Sequence, residues 1–300
     1  MKKSKITVIG SSNTDMVVQS NNLPLPGETV LGGKFIMNPG GKGANQAVAA
    51  AKLGGQVTFI AKVGNDIFGR EAVHGFVKEG IHTKYISTDE DQPSGVALIM
   101  VDKKGENSIS VALGANLKLN KKDIDMGMKA ITSSKFLLMQ LEIPLESVTY
   151  AAKKAAHQKI KVVLNPAPAQ ILSDELLGHL HIITPNETEA KLLTGVTVTD
   201  EKTAKKAAEI LNNKGVEIII ITLGSKGAYV FSDEFKGLIS PPKVTAIDTT
   251  AAGDTFNGGL VVALSEGMDI KTAVEFSTKA AAISVTRLGA QASTPYREEL

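Results

Sequence analysis

Short apolar runs rich in β-branched residues alternate with helical patterns along most of the chain, and this alternation constrains the fold more than any other feature. The buried strands are predicted at 6–9, 57–63, 136–141, 161–165, 181–184 and 217–223. The helices are predicted at 42–52, 69–78, 145–158, 188–193, 200–214, 255–265 and 270–285. Buried strands that each lead into a helix are typical of a parallel sheet covered on both faces. The sequence therefore predicts a doubly wound, mostly parallel α/β sheet flanked by helices, with residues 1–300 forming a single domain.

Two segments break this alternation. Residues 14–40 are extended and rich in turn residues, and residues 94–113 hold two apolar runs around Lys103-Lys-Gly-Glu106, the pattern of a β-hairpin. We expect both segments to form a small β-sheet. Because a small sheet with an apolar face is not stable alone in water, we expect it to cover the active site as a lid, to pack against the lid of a partner, or both.

Composition excludes several classes of function. The net charge is +2, which gives no electrostatic reason to expect a nucleic acid or a membrane surface as partner. The chain has no cysteine, which excludes disulfides, thiolate catalysis and cysteine-type zinc sites. A basic start, Met-Lys-Lys-Ser-Lys, is followed by no long apolar stretch, so we expect no signal peptide and a cytoplasmic protein.

The most informative motif is Asp248-Thr-Thr-Ala-Ala-Gly-Asp254, which leads into an apolar helix and places a carboxylate in its first turn. Free backbone N–H groups at a helix start bind anions, so a carboxylate there would compete with a phosphate. The arrangement makes sense if Asp254 accepts a proton from a hydroxyl while the N–H groups hold the phosphoryl group that this hydroxyl attacks. Alternatively, Asp254 only complements the helix dipole.

A second glycine-rich turn, Asn38-Pro-Gly-Gly-Lys-Gly-Ala-Asn45, also opens a helix. It is not a Walker A loop, because Gly43 follows Lys42 where that motif has a hydroxyl residue. A dinucleotide fingerprint is also missing after the first predicted strand. The glycines allow close approach of a ligand, and Lys42 and Asn45 supply donors. A tight turn between strand and helix is the alternative interpretation.

Polar residues follow two predicted core strands at their carboxyl ends, where ligands bind in open α/β sheets. Asn13 and Asp15 come after the first strand, and Glu142 comes after the strand at 136–141. Such side chains suit the hydroxyl groups of a neutral polyol. For each residue alone, a helix cap or a turn explains it as well.

The segment Thr184-Pro-Asn-Glu-Thr-Glu189 ends a strand and starts a helix, with Asn186 and Glu189 three residues apart on one face. Oxygen groups of this kind suit Mg²⁺, which keeps several of its waters. A capping box around Thr188 is the alternative.

Glycines at 224 and 227 follow another strand, in Thr222-Leu-Gly-Ser-Lys-Gly227. Backbone amides in this turn suit a nucleotide phosphate, with Thr222 as a hydroxyl donor. A hairpin turn into the next strand explains the glycines equally well.

These motifs, in this order and over the whole chain, resemble the carbohydrate kinases of the ribokinase family, also called the phosphofructokinase B family. The resemblance implies ATP-dependent phosphorylation of D-ribose at O5, with Asp254 as the catalytic base and an anion hole made by Ala251, Ala252 and Gly253. It implies ribose binding by Asn13, Asp15, Gly41, Lys42, Asn45, Glu142 and Asp254. It implies ATP binding by Asn186, Thr222, Gly224, Ser225, Lys226, Gly227, Gly253 and Thr278, the last where some relatives place a ring against adenine. It also implies Mg²⁺ held through water by Glu189, and a K⁺ site formed by Asp248, Thr250, Ser284, Arg287, Gly289 and Ser293, several of them through carbonyls.

Alternatives remain open at this stage. Deoxyribose or another pentose differs from ribose by a single hydroxyl contact, and a non-catalytic sugar sensor on the same fold is a different class of function. A nicotinamide-dependent dehydrogenase is disfavoured by the missing fingerprint. The family's lid sheets often pair across a two-fold axis, so the resemblance also implies a homodimer.

Overall fold

The computed structural model describes residues 5–300, which form two sheets and the helices that pack against them. Its strands are β1 (Lys5–Ile9), β2 (Asn13–Gln19), β3 (Lys34–Gly40), β4 (Gln56–Gly64), β5 (His82–Asp89), β6 (Gly95–Val101), β7 (Asn107–Ala112), β8 (Phe136–Met139), β9 (Lys161–Leu164), β10 (Ile182–Ile183), β11 (Ile218–Thr222), β12 (Ala228–Phe231) and β13 (Lys236–Ile239). Its α-helices are α1 (Lys42–Lys52), α2 (Ile67–Lys78), α3 (Lys121–Ser133), α4 (Leu145–His157), α5 (Asp174–Leu177), α6 (Glu187–Thr194), α7 (Glu201–Asn213), α8 (Ala252–Glu266) and α9 (Ile270–Ser284).

The larger sheet has the strand order β13-β12-β11-β10-β9-β8-β1-β4-β5. Its neighbouring strands pair in parallel except at one edge, where β12 is antiparallel to both β11 and β13. The chain proceeds from β1 to β4 and β5 in one direction, then returns to β8 and continues in the other. The strand order therefore reverses between β1 and β8, and such a switch point is where ligands bind in open α/β sheets.

Both faces of this sheet are covered, because alternate residues of its strands enter two separate apolar layers. In β1, Ile6 and Val8 pack into one layer and Ile9 packs into the other. The predicted mostly parallel α/β sheet with helices on both faces is confirmed. Among residues 5–300, no helix is both long and apolar enough to cross a bilayer.

Sequence patterns missed β5 and α3. Strand β5 lies at the edge of the sheet, and the residues at its centre are only half-buried, so its apolar pattern is weak. Helix α3 is half polar but begins with a capping box, in which the Asn120 side chain accepts from backbone N–H and Asp123 accepts from the backbone of Asn120. Helix α2 also begins two residues earlier than predicted, because Asp66 caps it by accepting from the Gly69 amide.

The smaller sheet, called here the lid sheet, has the order β3-β2-β6-β7 and comes from the two segments predicted to form it. Strands β2 and β6 are parallel, and the two outer pairs are antiparallel. The register puts Asp15 on one face and leaves the other face lined with apolar side chains. That exposed face carries Val18, Phe35, Met37, Leu98 and Met100.

Candidate active site

Asp254 lies in the first turn of α8 and is buried, with 5% of its surface exposed. Asn45 Nδ2 donates to its Oδ2 at 3.1 Å, and Gln46 Nε2 donates to its Oδ1 at 2.9 Å. Burial raises the pKa of the Asp254 carboxyl, and the positive charge of Lys42 and the two amide donors oppose that rise. Each carboxylate oxygen thus has a fixed partner and retains a lone pair for another donor.

The two amides reach Asp254 because α1 and α8 pack closely at a glycine. A Cβ placed on Gly258, one turn after Asp254, would lie 2.6 Å from the Cβ of Ala49 and 2.8 Å from the backbone nitrogen of Ala50. Real Cβ contacts are not this short, so a side chain at 258 would push the helices apart. The geometry of Asp254 therefore depends on Gly258.

The anion hole is predicted in the turn before α8, which is called here the anion-hole turn. Ala251 is in the left-handed region, with φ 58° and ψ 15°, which costs a residue other than glycine about 1–3 kcal/mol. It places Ala252 and Gly253 at the helix start. The Ala252 N–H donates to Thr249 O at 3.3 Å, whereas a first-turn N–H such as that of Gly253 has no partner within the helix. Space around Gly253 is open, since a Cβ there would meet no atom within 4 Å. The turn can accept an anion at this point.

A cavity of about 230 Å³ opens beside this turn. The predicted site residues that line it are Lys42, Asn186, Glu189, Thr222, Ala251, Ala252, Gly253 and Asp254. Residues from distant parts of the chain, predicted to bind sugar, nucleotide and metal, thus share one cavity wall with the turn before α8.

Predicted sugar ligands cluster around Lys42. Glu142 Oε2 accepts from Ser11 Oγ at 2.5 Å and from the backbone N–H of Lys42 at 2.9 Å. Burial, with the charges of Glu142 and Asp254, raises the pKa of Asp15 to about 6. Although burial disfavours its charge, Lys42 has a raised pKa because Asp254, Glu142 and further carboxylates surround it. The cluster is a compact set of acceptors around one cation.

Gly41 and Gly40 make this clustering possible. Gly41 has φ 88°, and a Cβ there would lie 2.7 Å from the backbone nitrogen of Asn13. A Cβ on Gly40 would overlap the carboxylate of Asp15. The two glycines thus let β2 lie close to the turn that joins β3 to α1.

Asn116 ties the lid sheet to the larger sheet. It is fully buried; its Nδ2 donates to Ser12 O at 3.1 Å, Leu113 O at 2.9 Å and Asn13 Oδ1 at 2.8 Å, and its Oδ1 accepts from Ser12 N at 2.9 Å. Asn116 therefore joins the chain entering β2 to the chain leaving β7. It also occupies the Asn13 oxygen, which leaves the Asn13 amide nitrogen as the group available to a ligand.

Asn186 and Glu189 form a reciprocal capping box at the start of α6. Asn186 Oδ1 accepts from Glu189 N at 2.8 Å, and Glu189 accepts from the backbone N–H of Asn186 at 2.9 Å and from its Nδ2 at 3.0 Å. The alternative of a capping box is thus present, but it is centred on Asn186 rather than Thr188, which lies inside the helix. Burial raises the pKa of Glu189, while Asn186 and Lys42 oppose the rise.

The predicted nucleotide turn divides into two parts. Thr222 lines the cavity and pairs with Asn186 through an isolated bridge. Gly224, Ser225 and Lys226 form a 3₁₀ turn beyond it, outside the cavity wall. At Gly227, φ is 100° and a Cβ would overlap the carbonyl oxygen of Ile239, so the hairpin itself requires this glycine.

Thr278 lies on α9, away from the cavity wall. It is buried, and its hydroxyl has no hydrogen-bond partner among residues 5–300.

Asp248 bridges the anion-hole turn and the loop after α9. Its Oδ1 accepts from the Thr250 amide at 2.9 Å, and its Oδ2 accepts from the Gly289 amide at 2.9 Å. Burial favours its neutral form, yet hydrogen bonds from Thr250 and Gly289 hold its pKa below the ordinary value. This side chain therefore fixes the anion-hole turn to the loop at 285–293.

Three of the other predicted K⁺ ligands, Ser284, Arg287 and Ser293, border the same loop and have side-chain partners of their own. The Ser284 hydroxyl donates to Ala281 O at 2.9 Å, and the Ser293 hydroxyl donates to Ala290 O at 2.8 Å. Arg287 pairs with Glu299. This loop can thus offer a cation its backbone carbonyl oxygens and the lone pairs that the serine hydroxyls keep while they donate.

Sequence reasoning gave no site role to six polar residues of the site. Four of them line the cavity: Asn165, Thr184, Thr249 and Asn257. Asn257 Nδ2 donates to Gly253 O at 2.8 Å, and its Oδ1 accepts from Thr184 Oγ1 at 2.7 Å. Its spacing of three from Asp254 on one helix was a usable signal. Gln46 and Asn116 gave no such signal, because only tertiary packing brings them to the site.

Comparison with known proteins places this geometry among sugar kinases. The profile of the pfkB family carbohydrate kinase matches residues 3–297. A ribokinase of Haemophilus influenzae is 51% identical over 294 residues, 98% of this chain and 96% of that protein. A deoxyribokinase of Salmonella typhi is 38% identical and covers 98% of this chain and 96% of its own. The structure of Arabidopsis thaliana ribokinase complexed with ribose and ATP has a TM-score of 0.90, with 32% identity and coverage of 99% and 97%.

Proposed function

The chain belongs to the pfkB family of carbohydrate kinases, and we propose that it transfers the γ-phosphoryl group of ATP to O5 of D-ribose. The observation that carries the proposal is the position of Asp254. Its buried carboxylate lies in the first turn of a helix whose N-terminal residues Ala252 and Gly253 line a cavity. The identity to the Haemophilus influenzae ribokinase over almost the whole chain supports ribose as the sugar.

Asp254 acts as the base in the proposed mechanism. A carboxylate, with a pKa near ~4, is too weak to ionise a free alcohol. In a loose phosphoryl transfer, however, the attacking hydroxyl becomes acidic only late, so Asp254 needs only to orient it and to receive its proton. The amides of Ala251, Ala252 and Gly253 stabilise the charge on the transferred group, and Lys42 adds a cation on the same cavity wall.

The sugar hydroxyls bind to Asn13, Asp15, Gly41, Asn45 and Glu142 in this proposal. The buried Oδ1 of Asn45 supports this assignment, because it has no hydrogen-bond donor among the described residues. A buried acceptor without a donor destabilises the folded protein unless a ligand donates to it, and a sugar hydroxyl is such a donor. Glu142 has one oxygen held by Ser11 and Lys42, which leaves Oε1 for a hydroxyl.

ATP binds along Asn186, Thr222 and the turn at 224–227, with Thr278 near the adenine ring. Glu189 holds Mg²⁺ through water. Glu189 fits this role because the capping box orients its buried carboxylate beside the cavity. Mg²⁺ keeps most of its waters, so one carboxylate suffices to anchor it with the nucleotide phosphates.

K⁺ binds between the Asp248 turn and the loop at 285–293, through carbonyls near Thr250, Ser284, Arg287, Gly289 and Ser293. The donor chemistry fits, since the loop has backbone carbonyl oxygens and its serine hydroxyls keep their lone pairs while they donate. A cation there would stiffen the anion-hole turn without touching the substrates.

The protein works as a cytoplasmic homodimer, paired through the exposed apolar face of the lid sheet. The support is the patch itself: a contiguous apolar face of this kind on a sheet is typical of protein interfaces. Its opposite face carries Asp15, so pairing would stiffen the sheet that covers the sugar.

The test is coupled ADP release with a panel of pentoses and hexoses, each with K⁺ and with Na⁺, for wild type and for Asp254→Asn. We expect turnover on ribose that rises with K⁺, and a kcat lower by about 10²–10⁴ in the variant with little change in sugar binding. A preference for 2-deoxyribose would show that the sugar substrate was wrongly identified, while the assignment as a sugar kinase would stand. ATP binding without turnover on any sugar would favour a sensor and refute the proposal.

A further inference from the structure

A directional chain of buried amides ends on Asp254. Gln140 Nε2 donates to Gln46 Oε1 at 2.5 Å, and Gln46 Nε2 donates to Asp254 Oδ1 at 2.9 Å. Both glutamine side chains have no solvent exposure, so neither touches a ligand in the cavity. Any effect of Gln46 on the reaction must therefore pass through Asp254.

The polarity of this chain depends on the charge of the carboxylate. An ionised Asp254 accepts only, so it requires the amide nitrogen of Gln46, and the Gln46 oxygen then requires a donor from Gln140. Turning either amide around would place two acceptors face to face. The remaining oxygen of Gln140 has no partner among residues 5–300 and packs against Gly10, where any side chain would overlap it. A buried acceptor left unpaired is costly, which indicates that the opposite end of the chain gains from this arrangement.

We propose that Gln46, oriented by Gln140, is a positioning residue that holds the Asp254 carboxylate ionised and correctly rotated for the sugar hydroxyl. The inference rests on the role of Asp254 proposed above. Gln46 fixes Oδ1 while Asn45 fixes Oδ2, so the carboxylate cannot rotate about its Cβ–Cγ bond. A charge-assisted hydrogen bond also opposes the effect of burial on the acid.

The test compares Gln46→Met with Gln170→Met in the full chain. Gln170 is a matched control, because its half-buried amide donates to the Leu141 carbonyl at 2.9 Å and does not contact Asp254. The measurements are kcat against pH, KM for ribose and for ATP, and the melting temperature. For Gln46→Met we expect kcat at pH 7 to fall about tenfold and the acid limb of kcat to move up by about one pH unit. KM for ATP should stay within about twofold.

A merely structural role would lower activity equally at all pH values, so the acid limb discriminates. Gln140→Met leaves Gln46 in place but frees its amide, and we expect a smaller upward shift of the limb. If Gln46→Met does not fold, the Gln140 variant alone decides the outcome. If the acid limb of kcat lies at the same pH in every folded variant as in the Gln170 control, the inference is overturned.

Failure of this inference is separable from failure of the proposed function. If Asp254→Asn abolishes turnover while the Gln46 variant behaves as the control, Asp254 is supported as the base and the positioning role of Gln46 is refuted. If Asp254→Asn keeps kcat within a factor of a few, the base itself falls, whatever the Gln46 variant does.

Discussion

Asp15 should cost the protein stability at neutral pH. Its pKa is raised from 3.8 to about 6, chiefly by burial and then by the charges of Glu142 and Asp254. A carboxyl with a raised pKa contributes its full stability below pH 3.8, and this contribution is lost as pH rises through about 6. The difference is about 2 pKa units, and at about 1.36 kcal/mol per unit it amounts to ~3 kcal/mol above pH 7. Partial solvent access reduces this to about 2–3 kcal/mol.

Asp15→Asn removes the charge and keeps the shape, so it should raise the melting temperature at pH 7.5 by roughly 3–8 °C. At pH 4.5 the folded wild type already binds the proton, and the gain should fall to about a third. Asp233→Asn, at an exposed turn between β12 and β13, is the control. Thermal melting followed by circular dichroism at both pH values is the assay. An equal gain at both pH values, or a loss at pH 7.5, would refute the reasoning.

Three further variants probe separate features. Gly258→Ala should separate α1 from α8, lower the free energy of unfolding by about 1–3 kcal/mol and reduce kcat. The control is Gly75→Ala, in open space on α2, which should leave stability unchanged or raise it in the same melting and activity assays. Asn116→Ala should raise KM for ribose about tenfold and leave KM for ATP unchanged, because it frees the Asn13 amide; equal changes in both KM values would contradict this. Leu98→Lys on the lid sheet should convert a dimer to a monomer in size-exclusion chromatography with light scattering, while Leu117→Lys, exposed outside that sheet, should not. A Leu98→Lys protein that stays dimeric would exclude this face as the interface.

Most of the larger sheet could be predicted from its sequence, because β-branched apolar runs such as 217–223 bury both faces and leave a strong signal. The lid sheet was also predicted from turn residues and a hairpin pattern. Strand β5 and helix α3 were missed, since an edge strand and a helix capped by side chains carry little apolar periodicity.

The candidate site was predictable where a motif places its residues locally. Asp254, Ala251 and Gly253 lie on one turn, so the sequence predicts their proximity. Gln46 was not predictable, because it reaches Asp254 only through the packing of two helices at Gly258. The capping box was expected around Thr188, whereas the structure has its N-cap at Asn186, two residues earlier.

The contact between Asn45 and Asp254 joins residues 209 positions apart, and it has a consequence for synthesis. All strands described are complete by residue 239, whereas the helix that carries Asp254 starts at 252. During synthesis, every described strand therefore leaves the ribosome before the helix that carries Asp254 appears. Until α8 emerges, the nascent chain holds an incomplete cleft in which the amides of Asn45 and Gln46 face no carboxylate. The proposed phosphoryl transfer therefore requires a chain that has been synthesised beyond residue 254.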